Sequence, residues 1–153
     1  MAPSSVHSFY RIWFTWVDPA AIVPTVYFLL VNPAVYMSAL IPPSMSTPNP
    51  DHAFLFHSMA ALYAFLGLQL IVLLRITDDL KVWRVFQAGI LMVDFALMAS
   101  QYVSLEQQGR LHLKGIRGDD WAAFIFTALV AVIRIFFLAG VGVKSKTKAT
   151  KRA

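Results

Sequence analysis

Residues 128–143 read ALVAVIRIFFLAGVGV, an apolar run broken once, by Arg134. Together with the preceding WAAFIFT (121–127) it is long enough to cross a hydrocarbon core about 30 Å thick, for which an α-helix needs about 20 mostly apolar residues. Working outward, three more such segments lie near 9–31, 53–74 and 82–103. The predicted fold is therefore all-α, a four-transmembrane-helix bundle forming a single membrane domain over 1–153, with spans near 9–31, 53–74, 82–103 and 121–143. Composition agrees, since 58% of the 153 residues are hydrophobic and only 14% are charged, against roughly a quarter charged in soluble domains. Four buried helices of a soluble protein would need polar outer faces, which these segments lack.

The first span is predicted to stay in place as a span. The leading MAPSSVHS carries no Lys or Arg, and the apolar stretch is long and contains Asp18, which does not fit a secretory signal. The chain has no cysteine, which removes disulfides, thiolate catalysis and thiolate metal sites. No metal and no cofactor are predicted. Orientation follows from the cations. Arg11, Arg75, Lys81, Arg84 and the tail 144–153 (Lys144, Lys146, Lys148, Lys151, Arg152) fall on one side, and Arg110, Lys114 and Arg117 on the other. The positive-inside rule then places both termini in the cytosol, with the endoplasmic reticulum or another endomembrane as the default location. The basic cytosolic tail reads as a topology anchor, or as a patch for anionic lipid. Its charges flank spans without interleaved aromatics, so nucleic-acid binding is not predicted. The proline-rich connector 32–52 is expected to be an extended, poorly helical lid.

Three ionisable residues lie well inside the spans: Asp18, Asp94 and Arg134. At 1.5 Å per residue, Asp18 is roughly 13 Å, Asp94 roughly 18 Å and Arg134 roughly 13 Å from the same surface. Buried charges in lipid are tolerated when they face the bundle interior and pair, so Arg134 is expected to bridge to Asp94, Asp18 or both. Gln69 could extend this layer as a neutral partner. Trp13, in the aromatic cluster at the start of the first span, is a weaker ligand-binding candidate, because an interfacial belt already accounts for it. Two carboxylates and one guanidinium sum to −1, which a dry site disfavours. A bound cation, water or a proton held by the two acids would relieve it. Pro19 and Pro24 free backbone carbonyls that can open a polar pocket in the first helix. Asp119 or Asp120, in GDDW, is expected to cap the fourth helix.

The order and spacing of FYRIWFTWVDP (9–19), LLRITDDLKVWR (73–84), LMVDF (91–95), DDW (119–121) and RIFFLAGVGV (134–143) resemble a family of small fungal four-span membrane proteins classed as a domain of unknown function. The resemblance covers nearly the whole chain and implies the four-span fold and the intramembrane triad. In that family the first-span acid is commonly glutamate before proline, and the third-span aspartate is often followed three residues later by histidine. Asp18 and Leu97 stand at those positions here. In size alone the chain is also similar to small membrane sterol isomerases and to fungal membrane enzymes of terpenoid and polyketide pathways, whose diagnostic residues it lacks.

Three functions compete on this inventory. In the first, the bundle binds a small lipophilic molecule and isomerises or cyclises it, with Asp18 or Asp94 as a general acid positioned by Arg134. In the second, it is a non-enzymatic membrane scaffold or partner subunit, in a homo- or hetero-oligomer, whose triad only holds the helices together. In the third, the titratable layer serves proton-coupled transport. The lipid bilayer is the partner common to all three.

Overall fold

A computed structural model describes residues 6–47 and 49–143. The basic tail singled out above lies outside the described residues. Among the described residues, besides a 3-10 turn at Pro50–His52, there are five helices: α1 (Ser8–Val31), α2 (Pro33–Leu40), α3 (Ala53–Ile76), α4 (Leu80–Gln107) and α5 (Gly118–Leu138). All but α2 belong to apolar segments long enough to cross a membrane. The fold is all-α, and a multi-pass membrane architecture follows. The surface supports this, because large apolar side chains such as Leu62 (66% exposed) and Met92 (69% exposed) point outward. Water would not tolerate so many of them side by side.

The helix ends follow from local chemistry. The Asp79 carboxylate accepts from the Lys81 N–H at 2.8 Å and starts α4, a side-chain cap for donors that the helix cannot satisfy itself. Asp120 caps α5, accepting from the Arg117 N–H at 2.8 Å. The connector 32–52 departs from the expected extended path. Pro33 occupies the first turn of α2, where its missing N–H costs nothing and its fixed φ favours the helix. The fourth span also ends at Leu138 rather than 143. Gly140 and Gly142 then take positive φ, 88° and 70°, conformations open to glycine at little cost. They turn the chain so that Val143 forms an isolated antiparallel bridge with Val6, and the His7 N–H donates to the Gly142 carbonyl at 3.1 Å. Both ends of the described chain therefore lie at one end of the bundle.

α1 packs on α3, and α4 packs on α5. The terminal end of the bundle is closed by an aromatic core in which Phe14, Trp83 and Phe137 are fully buried. Phe137 lies 5.3 Å, centroid to centroid, from both Tyr10 and Phe14, tilted and edge-on arrangements that suit ring quadrupoles. Beyond this plug, toward α2, the helix pairs part.

Candidate functional site

α1 is not a regular helix where it meets the site. Residues Trp13–Val17 form a π-turn, and the Asp18 N–H reaches back to the Trp13 carbonyl. In a regular ladder the Thr15 carbonyl would accept from residue 19, which is proline and has no N–H. Arg75 of α3 supplies the missing donor, its Nη2 reaching the Thr15 carbonyl at 2.9 Å. Its guanidinium also lies 4.1 Å from the Trp16 ring centroid. The distortion has a chemical origin, Pro19, and a local stabiliser, Arg75. Such π-turns recur at functional sites, and this one immediately precedes Asp18.

Arg134 stands between the helix pairs, 3% exposed. Its Nη2 donates to Asp18 Oδ2 at 2.5 Å, its Nη1 to Asp94 Oδ2 at 2.6 Å, and its Nε to Gln87 Oε1 at 3.1 Å. The bridge expected between Arg134 and one or both acids thus takes in both, and it ties α1, α4 and α5 together. The fork geometry of guanidinium is what allows one side chain to hold separate partners along three directions. The neutral member of the layer is Gln87, fully buried, and not Gln69. Gln87 lies seven residues before Asp94 on α4, two turns away and so on the same helix face. Its Nε2 has no hydrogen-bond partner among the described residues.

A cavity of about 440 Å³ opens above the triad, within the 300–1,000 Å³ usual for small-molecule sites. Asp18, Asp94 and Arg134 form its floor, and Leu66, Leu97 and Val130 contribute to an apolar wall. Tyr36 and Leu40 bring α2 over it as a roof. The Tyr36 hydroxyl faces that of Tyr63, which lies near Asp94. Burial first, and then the neighbouring Tyr63, hold the Tyr36 phenol above the usual tyrosine range. Ala123 and Thr127 also line this space.

Trp13 and Gln69 do not line it. Trp13 stacks on Phe9 at 5.8 Å and packs against the aromatic plug, while Gln69 is half-buried on α3. Neither joins the triad. For Gln69 the cause is that distance along a span fixes depth, and only the helical phase fixes which face a residue presents.

The roof is tethered by a second charged cluster at the far end. Arg117 Nη1 donates to the Ser38 carbonyl at 2.8 Å, and its Nη2 donates to the Ala39 carbonyl at 3.1 Å. These are carbonyls of the last turn of α2, where cations are favoured. Arg117 also pairs with Asp120 at 3.2 Å. Asp120, 2% exposed, is bound by Arg110 as well. Sequence reading found the capping aspartate but not the two arginines, because the loop between α4 and α5 has no periodicity from which to place them.

The family model described as "Domain of unknown function (DUF7704)" matches residues 3–144. The chain belongs to that family. No curated protein and no solved structure matches it. The match spans every described helix and with them the triad, cavity and tethered roof, but assigns none of these a role.

Proposed function

We propose that the protein binds a small lipophilic molecule, lipid, sterol or terpenoid- and polyketide-like, between its helix pairs and isomerises or cyclises it by acid catalysis. The setting proposed is fungal secondary metabolism at the endoplasmic reticulum or another endomembrane, with both termini cytosolic. The observation that supports this reading is an apolar cavity whose floor is a paired acid site. Each salt bridge uses Oδ2 of its carboxylate, which leaves Oδ1 of Asp18 and of Asp94 for a ligand. In the proposed step a carboxyl proton of Asp18 or Asp94 passes to one carbon of a ligand double bond, forming a C–H bond and a carbocation beside the new carboxylate. Return of a neighbouring proton to that carboxylate shifts the double bond. Attack by a second double bond of the same molecule, before that return, closes a ring. No external reductant or oxidant is consumed, and dry apolar walls protect the cation from water.

Asp18→Asn and Asp94→Asn strains, compared with wild type at matched protein abundance by untargeted metabolite profiling, should lose a product and accumulate its precursor. Full product formation in both overturns catalysis. Should either variant fail to accumulate, Thr127→Phe fills the cavity without touching the triad, and it is expected to give the same metabolic loss. The scaffold reading is favoured by one observation, that Arg134 joins three helices. It requires unchanged metabolites in all these strains.

A further inference from the structure

The charges of the cavity define the ligand more narrowly. We infer that the molecule it accepts carries a single positive charge at the triad end, and that its class is a lipophilic amine bound as the ammonium ion. This rests on the ligand-binding reading above. Among the described residues Asp18, Asp94 and Arg134 are the charged members of the cavity wall. Gln87 behind them is neutral. Two carboxylates facing one guanidinium leave the site one positive charge short, and apolar walls weaken the screening that water would provide. An anionic ligand would lie against two carboxylates that outnumber the one guanidinium beside them. An ammonium group meets the opposite situation. The carboxylate oxygens not used by Arg134 are free to accept its N–H donors, and Tyr63, which lies near Asp94, lines the same space. In the empty site a proton meets the same need. The site is thus built for one exchangeable positive charge, and a bound ammonium takes the place of the catalytic proton. The amine therefore binds as a mimic of the carbocation proposed above and is not itself protonated at carbon.

The test uses the full-length protein in nanodiscs of zwitterionic phosphatidylcholine, with an uncharged alkyl diazirine as photolabel. Two competitors are compared: N,N-dimethyldodecylamine and its uncharged isostere, 2-methyltetradecane. The amine should compete at least tenfold more strongly in wild type, and Asp94→Asn should erase that difference. Equal potency of the two in wild type overturns the inference and leaves cavity binding standing. Competition by neither overturns the binding reading as well. The wild-type ratio needs no variant, so a poorly folding Asp94→Asn protein does not prevent a decision.

Discussion

Arg134 is the residue on which this molecule turns. A lone arginine deep in an apolar helix is costly in lipid. Two acids and an amide from other turns and helices offset that cost by taking all three of its nitrogens. Removing it strands two buried carboxylates, and breaking a buried pair in this way costs about 3–5 kcal/mol. Arg134→Ala is accordingly expected to lower the thermal midpoint in detergent sharply, with Arg134→Lys intermediate, because an ammonium lacks the three-way fork. The combined Asp18→Asn, Asp94→Asn, Arg134→Gln protein, which buries no charge at these positions, should recover most of the loss. A triple variant no more stable than Arg134→Ala would show that packing, and not charge balance, is at stake. The acids and arginine were legible in the sequence because ionisable residues inside apolar spans are rare, and depth arithmetic put them in one layer. Gln87 was not, since a polar residue near the end of a span looks ordinary until its two-turn spacing from Asp94 is noticed.

Among the elements, α1 shows how a sequence flaw becomes a structural feature. Pro19 withdraws a donor, the helix loosens into a π-turn, and Arg75 on the neighbouring helix satisfies the Thr15 carbonyl. Arg75→Ala should destabilise the protein by about 1–3 kcal/mol, the cost of stranding a buried acceptor. Pro19→Ala, by restoring a helical N–H, should reduce that penalty, and a double-mutant cycle on unfolding free energies measures the coupling. Additive effects would refute the link. The roof α2 makes a different prediction. Its last-turn carbonyls are held by Arg117, so Arg117→Ala should raise amide hydrogen exchange across 36–41 while leaving α3 and α4 protected. Unchanged exchange in the roof would mean that its contacts with α5 suffice. Apolar length revealed the four long helices, but α2 was hidden by the prolines of the connector, because Pro33 at a helix start reads in sequence like any other of them.

For the whole molecule, the relevant contrast is between a terminal end sealed by aromatic rings and a far end opened by the separation of two helix pairs. The bridge between Val6 and Val143 joins the chain ends, and the cation distribution predicts that this end faces the cytosol. Because the chain has no cysteine, single substitutions report the topology cleanly. In sealed microsomes a membrane-impermeant maleimide should label Thr147→Cys at once and Ser46→Cys only after permeabilisation. The reverse order would invert the orientation.

The central claim is that the space above the triad receives a lipophilic molecule, and mapping an uncharged alkyl diazirine in the nanodisc-embedded protein tests it most directly. Labelling should appear at inward positions such as Tyr63, Leu97 and Thr127, and Thr127→Phe should abolish it there while sparing the outward Leu62 and Met92. Labels confined to outward positions, or inner labelling unaffected by Thr127→Phe, would contradict the account.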